Sequence, residues 1–210
     1  MSKLVELSGV EFLEKLASSA PAPGGGGGAA MAGALAAALS SMVANLTLGK
    51  EKFAAQEDEV KELLAQAEAV RGTLLKLVED DAEVFNSFMA CYKLPKATDE
   101  EKAARTAAIR AAAKQAAGVP LAIARAAAEV AVIAARLVVI GNPGVITDGA
   151  CSILLARAAV RCAEYNVRIN LGLTKDDEFN AQALVELAEL QARVLKLEEE
   201  SLAATDKAIG

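Results

Sequence analysis

The chain has 210 residues, of which 54% are hydrophobic, 3% are aromatic and about 48 are alanine. This apolar content excludes an intrinsically disordered chain, and the length fits one domain with a substantial core. The formal net charge is −6, and neither histidine nor tryptophan is present. The chain therefore lacks the positive charge and the stacking surface typical of nucleic-acid-binding proteins. Without histidine, any acid–base chemistry must fall to Asp, Glu, Lys, Tyr or Cys.

The helices are predicted from the capping and breaking residues, taken in chain order. A capping box at Ser8 and Glu11 begins a short helix to about residue 18. After the proline- and glycine-rich residues 21–28, a helix of small residues runs to about residue 48, and a long amphipathic helix follows over residues 51–89. Residues 16–49 carry no charge and are long enough to span a membrane. Alanine and glycine favour insertion only weakly, and acidic residues precede the segment, so we expect neither a membrane span nor a signal peptide.

The second half of the chain is predicted to be helical as well. A capping box at Thr98 and Glu101 begins a helix to about residue 117, and Pro120 lies in the first turn of the next, which ends near residue 140. Residues 141–144 break the chain, a helix follows over 147–170, Gly172 ends it, and Thr174 and Asp177 cap a last helix to about residue 207. Together these segments predict one all-α domain over residues 1–210, a bundle of about six or seven helices with long antiparallel members.

The three cysteines, Cys91, Cys151 and Cys162, indicate a reducing compartment. Their odd number, their wide spacing and the lack of a C-x-x-C pair argue against a disulfide framework and against a zinc site. We therefore expect a cytoplasmic protein with no bound metal, in which Cys151 and Cys162 are small core residues.

Asp81 interrupts an apolar helical stripe, four residues after Leu77 and four before Phe85. This spacing places Asp81 on the core face, while Asp80 and Glu83 point away. A carboxylate on a core face is costly unless it is paired or functional, and burial raises its pKa towards the range of a general acid or base. The alternatives are an aspartate at the rim of the stripe and one paired with lysine or arginine.

A second stripe carries polar residues at both of its ends: Asp148 at the start, and Asn166 and Asn170 one turn apart at the other end. Amides on an inward face need partners, which a heterocycle such as a pterin or the neighbouring backbone could supply. Asp148 lies in a first helical turn, where a carboxylate also suits the helix dipole.

The run of five glycines at residues 24–28 matches neither a Walker loop nor a dinucleotide-binding fingerprint. It predicts a backbone that turns sharply, approaches another group closely and offers free N–H groups to an anion at a helix start. A tight turn with close helix packing is the alternative.

Lys50, Lys93 and Lys96 flank loops on either side of the long helix.

Several segments, taken in order, resemble the cyclodeaminase/cyclohydrolase family of folate one-carbon enzymes. That family includes the cyclodeaminase half of formiminotransferase-cyclodeaminase and the stand-alone methenyltetrahydrofolate cyclohydrolases of bacteria. The similarity runs from about residue 5 to residue 205. The segments are P-A-P-G-G-G at 21–26, T-L-G-K-E-K-F at 47–53, D-A-E-V-F at 81–85, K-L-P-K-A-T at 93–98, V-P-L at 119–121, G-N at 141–142 with Asp148, and Y-N-V-R-I-N-L at 165–171.

The resemblance implies an all-helical homodimer that binds folate near the subunit interface. Its D-A-x-x-F aspartate falls on Asp81, which we expect to be catalytic, together with Asp148 and Lys50. The residues expected to bind substrate are Pro23, Gly24, Gly25, Gly26, Gly27, Lys93, Lys96, Asn142, Asn166 and Asn170. No metal or other cofactor is expected. The family usually has serine where this chain has Gly27, which puts the transfer of fine specificity in doubt.

We expect the chain to hydrolyse 5,10-methenyltetrahydrofolate to 10-formyltetrahydrofolate, reversibly. We expect no formiminotransferase domain at the N-terminus, and this expectation favours hydrolysis over the deamination of 5-formiminotetrahydrofolate. That deamination is the first alternative, and a non-enzymatic helical scaffold is the second.

Overall fold

The computed structural model describes residues 3–210, and within them the regular structure is helical throughout. The six α-helices are α1 (Gly9–Leu16), α2 (Gly25–Asn45), α3 (Glu57–Cys91), α4 (Asp99–Ile140), α5 (Ile146–Thr174) and α6 (Asp177–Ile209). Short 3-10 turns cover Leu4–Glu6, Glu51–Gln56 and Pro143–Val145. The predicted all-α bundle is therefore confirmed.

Helix α2 packs against α3, α4 and α5, while α6 covers α4 and α5. Helices α2 and α5 are antiparallel: Ser40 Oγ in the C-terminal part of α2 lies 2.9 Å from Ser152 Oγ near the start of α5. Beyond the end of α2, Thr47 Oγ1 accepts a hydrogen bond from the backbone N–H of Asn142 at 2.9 Å. The α2 start is consequently beside the α5 end, and this arrangement determines which predicted residues meet.

Small residues allow the helices to pack closely. Ala30, Ala36 and Ala37 of α2 are completely buried, and a Cβ added to Gly33 would lie 3.0 Å from a methyl carbon of Leu74. Dense packing without bulk is what an alanine-rich, aromatic-poor sequence can achieve.

The prediction of separate helices around Pro120 is wrong, because α4 continues unbroken from Asp99 to Ile140. A proline in a helix interior removes a backbone donor and leaves the carbonyl four residues earlier without its normal partner. Here that carbonyl belongs to Ala116, and it accepts a hydrogen bond from Asn170 Nδ2 at 3.0 Å. A tertiary contact thus compensates for the missing N–H group.

Other boundaries differ in smaller ways. Helix α5 continues through Gly172 and ends before Lys175, whose φ of 54° terminates it. The cap of α6 is Asp176, which accepts from the backbone N–H of Phe179 at 3.0 Å, and not Thr174. The long third helix begins only at Glu57, after a 3-10 turn. The capping boxes at Ser8 and Thr98 are confirmed.

Cys151 and Cys162 are both exposed. Their prediction as core residues is wrong, because both lie on the solvent side of α5.

Two segments, Gly25–Asn45 and Pro143–Thr174, are long and apolar enough to cross a membrane by length and composition alone. Within the bundle, 61% of the most apolar window of the first is buried, as in the core helix of a globular domain.

Candidate functional site

A cleft of about 260 Å³ opens where the start of α2 meets α3, α4 and the end of α5. Three predicted groups converge on it: the glycine run, the carboxylate of Asp81, and the amides of Asn166 and Asn170. The lining residues are Pro21, Ala22, Gly24, Gly25, Gly26, Asp81, Val84, Phe85, Phe88, Ala116, Val119, Asn166, Ile169, Asn170 and Leu173.

Asp81 is a residue of α3, and its carboxylate lies against the N-terminus of α2. Its Oδ2 accepts a hydrogen bond from the backbone N–H of Gly27 at 2.8 Å, and this N–H is one of the donors that a helix start leaves unpaired. The predicted anion at the glycine run is therefore a carboxylate of the protein itself. The positive end of the helix dipole adds to this attraction.

Gly26 has no room for a side chain. A Cβ built on it would lie 2.1 Å from Asp81 Oδ1 and 2.6 Å from Asp81 Cγ, well inside van der Waals distance. At Gly27 a Cβ would lie 3.3 Å from Pro23 Cβ and 3.7 Å from Asp81 Oδ2. The glycine run thus serves close approach of α2 to Asp81, and a side chain at position 27 would stand beside the carboxylate.

Burial raises the pKa of Asp81 above the ordinary value for an aspartate, and the hydrogen bond from Gly27 opposes this only in part. Within residues 3–210 the Asp81 carboxylate forms no ion pair, whereas its neighbour Asp80 lies 2.5 Å from Lys76 Nζ. Asp81 is partly buried, and the alternative of an ion-pair partner does not apply within residues 3–210. A desolvated carboxylate beside a cleft is suited to exchanging protons with a ligand.

The two asparagines close the far side of the cleft. Asn166 Nδ2 donates to Cys162 O at 2.8 Å, and a Cβ on Gly25 would lie 3.2 Å from the same nitrogen. Asn170 Nδ2 donates both to Ala116 O and to Asn166 O. Both amides thus have backbone partners and also face the cleft.

The remaining predicted binding residues near this end are arranged less closely. Pro23 is buried behind Gly27 and does not line the cleft. Lys93 lines a neighbouring groove of about 400 Å³ that shares Pro21 and Phe85 with the cleft. Lys96 is exposed in the loop between α3 and α4.

Lys50, Asn142 and Asp148 lie at the opposite end of the bundle. Eighteen residues of helix separate Asp148 from Asn166, which at 1.5 Å per residue is about 27 Å. Asn142 is engaged locally, since its Nδ2 donates to Leu46 O at 3.0 Å and its Oδ1 accepts from the Gly144 N–H. One subunit therefore does not bring these three residues to Asp81.

The apolar walls of the cleft were missed in the sequence. Val84, Ile169 and Leu173 lie three residues after the predicted site residues Asp81, Asn166 and Asn170, so a search of i+3 neighbours could have found them. Ala116 carries no signal of its own, although Pro120 four positions later marks its carbonyl as unpartnered.

Comparison with known proteins gives relatives along almost the whole chain. A methenyltetrahydrofolate cyclohydrolase of Methylorubrum extorquens is 47% identical over 188 residues, 90% of each chain. The formimidoyltransferase-cyclodeaminase of Sus scrofa is 34% identical over 179 residues; the match takes in 85% of this chain but only 33% of that longer protein.

The fold has a close counterpart among solved structures. The crystal structure of formiminotetrahydrofolate cyclodeaminase from Thermotoga maritima superimposes with a TM-score of 0.89 at 29% identity, covering 99% of this chain and all of that one. The family model for formiminotransferase-cyclodeaminase matches residues 8–189. The chain therefore belongs to the formiminotransferase-cyclodeaminase family.

Proposed function

We infer that the protein is a methenyltetrahydrofolate cyclohydrolase, which adds water to 5,10-methenyltetrahydrofolate and releases 10-formyltetrahydrofolate in a reversible reaction. The observation that carries this inference is the 47% identity to a cyclohydrolase over 90% of both chains. The desolvated carboxylate of Asp81 provides the chemical group that the reaction needs.

The methenyl bridge is a cationic amidinium whose carbon is electrophilic. Asp81 stabilises the cation and accepts a proton as water forms a bond to the bridge carbon. The bond between that carbon and N5 then breaks as N5 receives the proton held by Asp81. The hydroxyl oxygen of the adduct becomes the formyl carbonyl on N10, and its proton is released to solvent, which balances the positive charge lost by the substrate. Water and one carboxylate suffice for these steps, so we propose no metal or redox cofactor.

The direct test is loss of the methenyltetrahydrofolate absorbance when protein is added, measured against the buffer rate. Release of ammonia from 5-formiminotetrahydrofolate is measured in parallel, because the cyclodeaminase of T. maritima has the same fold and length. Hydrolysis with little ammonia supports the cyclohydrolase. Ammonia release as the main activity would establish the cyclodeaminase instead. If neither activity is detected, the remaining interpretation is a non-enzymatic helical scaffold.

We also propose that the active form is a homodimer built on α2 and α5. Both helices expose apolar side chains at helical spacing, and Ile169, beside the cleft, is 72% exposed. The exposed residues are Leu35 and Met42 on α2, Leu46 directly after its end, and Leu154, Tyr165 and Ile169 on α5. Several exposed apolar side chains on two helices that pack together are typical of a subunit interface.

A two-fold axis through the middle of this face would exchange the two ends of the antiparallel pair. The partner's Lys50, Asn142 and Asp148 would then approach the Asp81 cleft, and each subunit would contribute to two sites. In this arrangement Lys50 and Asp148 would act at the site of the partner subunit, which is how we reconcile their expected roles with their distance from Asp81 within one subunit.

Mixed dimers test this arrangement. We expect Asp148→Asn to lower kcat/KM by about 10-fold or more, through lost stabilisation of the substrate cation. Refolding an equal mixture of Asp148→Asn and Asp81→Asn chains should restore about a quarter of wild-type activity, because half of the dimers then hold one intact site. Activity no higher than the mean of the parents would contradict a shared site. Unchanged kinetics with a lower Tm would make Asp148 a helix-capping residue only.

The pH dependence of kcat/KM follows from Asp81. Its raised pKa means that the carboxyl gains a proton at a higher pH than an ordinary aspartate does. Because water attack needs the carboxylate, kcat/KM should fall as pH decreases through that raised pKa. A rate profile measured between pH 4 and 9 checks this, and the residual activity of Asp81→Asn should lack this acid limb.

The three cysteines are free thiols, which supports our proposal that the protein works in the cytoplasm. We propose that the cleft binds a folate substrate and that the protein binds neither nucleic acid nor a membrane.

A further inference from the structure

The hydrogen bonds of Asn170 are set by a proline on another helix. Pro120 has no backbone N–H, so Ala116 O lacks the donor that a regular helix would provide. Asn170 Nδ2 takes this place at 3.0 Å and also donates to Asn166 O at 2.8 Å. The side chain thereby links α5 to α4 directly behind the cleft.

These two contacts fix the orientation of the amide. Both partners are carbonyl oxygens, which only the NH₂ group can meet, and an amide nitrogen has two hydrogens to give. Asn170 Oδ1 therefore points the other way and receives no hydrogen bond from residues 3–210, while the residue lines the cleft. Asn166 differs, because its Nδ2 has one backbone partner, Cys162 O, and keeps a second hydrogen.

We propose that Asn170 is a specificity-determining residue that acts only as a hydrogen-bond acceptor, and that Pro120 is the positioning residue that holds it in this state. The inference rests on the proposed folate function. A reduced pterin has two adjacent N–H donors on its pyrimidine edge, at the 2-amino group and N3, in addition to the N–H groups of its reduced ring. Asn170 Oδ1 accepts from this edge, so a ligand without such a donor leaves the oxygen unpaired and binds more weakly.

The first experiment separates the structural role of Asn170, the hydrogen bond to Ala116 O, from its role in ligand binding by a double-mutant cycle with Pro120→Ala. Asn170→Ala should lower Tm by about 4 °C, because Ala116 O becomes unpartnered, and should raise KM by about 10-fold with kcat within about 3-fold. In Asn170→Ala/Pro120→Ala, residue 120 supplies its own N–H to Ala116 O. We expect Tm to recover towards that of Pro120→Ala while KM stays high.

Recovery of KM together with Tm in the double variant would overturn the proposal, since Asn170 would then act only through stability. An unchanged KM in Asn170→Ala would overturn it as well.

The second experiment changes the ligand. Calorimetric binding of tetrahydrofolate and of its 2-desamino analogue should differ by about 10-fold or more in the wild type and by less than about 2-fold in Asn170→Ala. Equal discrimination by both proteins would contradict the proposed contact. Absence of hydrolysis by the wild type would refute the proposed function alone, because the binding comparison and the Tm cycle are read without turnover.

Discussion

Asp81→Asn is expected to lower kcat by at least about 100-fold while the protein remains folded. The amide oxygen can still accept the Gly27 N–H hydrogen bond, so the start of α2 keeps its partner, but an amide does not carry the proton that hydration of the bridge requires. The absorbance assay with purified variant measures the rate. A variant with more than about a tenth of wild-type activity would exclude Asp81 as the general acid and base.

The matched control is Asp80→Asn, one position earlier on α3. Asp80 pairs with Lys76 outside the cleft, and an ion pair of this kind contributes little to stability, so we expect near wild-type turnover. Thermal unfolding separates the two variants further. Because the pKa of Asp81 is raised by folding, its ionised form lowers stability above that pKa. At pH 7, Asp81→Asn should therefore melt no lower than the wild type.

Gly26→Ala is expected to reduce kcat/KM by at least about 100-fold through a single added methyl group. Its Cβ would lie 2.1 Å from Asp81 Oδ1, so either the carboxylate or the first turn of α2 must move. The Gly27 hydrogen bond is lost in both cases. Alanine is favoured over glycine in a helix by about 1 kcal/mol, a gain too small to offset such a clash. Kinetics and Tm should both deteriorate.

Gly28→Ala is the matched control in the same helical turn. A Cβ at Gly28 meets no atom within 4 Å, so the substitution should leave kcat/KM unchanged and raise Tm slightly, because alanine restricts the unfolded chain. If Gly26→Ala behaved like Gly28→Ala, the close approach of α2 to Asp81 would not be required for catalysis.

Local sequence patterns predicted two features of the site separately, the carboxylate of Asp81 and the glycine run. Asp81 stood out because spacings of four from Leu77 and Phe85 placed a carboxylate on a core face, and the glycine run predicted free N–H groups for an anion. Their contact depends on the tertiary fold, because Asp81 and Gly27 are 54 residues apart in the sequence. Spacing along one helix carries no information about which second helix will face it.

Pro120 shows where local rules failed. A proline in an apolar, alanine-rich stretch is ordinarily placed in a first turn, and this rule divided α4 into separate helices. The compensating donor, Asn170, lies 50 positions later in the sequence. Lys50 and Asp148 show a different limit. Both lie far from Asp81 within one subunit, and only the proposed dimer would bring them to it.

The hydrogen bond between Gly27 and Asp81 has a consequence for the handedness of the reaction. One carboxylate oxygen, Oδ2, is held by the helix start, and Oδ1 stays above Gly26 without a donor from residues 3–210. Because Oδ2 is held by this hydrogen bond, the carboxylate cannot rotate freely, and only Oδ1 is available as the base, with its lone pairs in a fixed direction. Under the proposed mechanism the planar bridge carbon becomes a stereocentre when water adds, and a base of fixed direction delivers water to one face of a substrate held in one orientation. Because the reduced pterin already carries a stereocentre, the transient adduct would form as a single diastereomer, with the Gly27 N–H orienting the base and the cleft orienting the substrate.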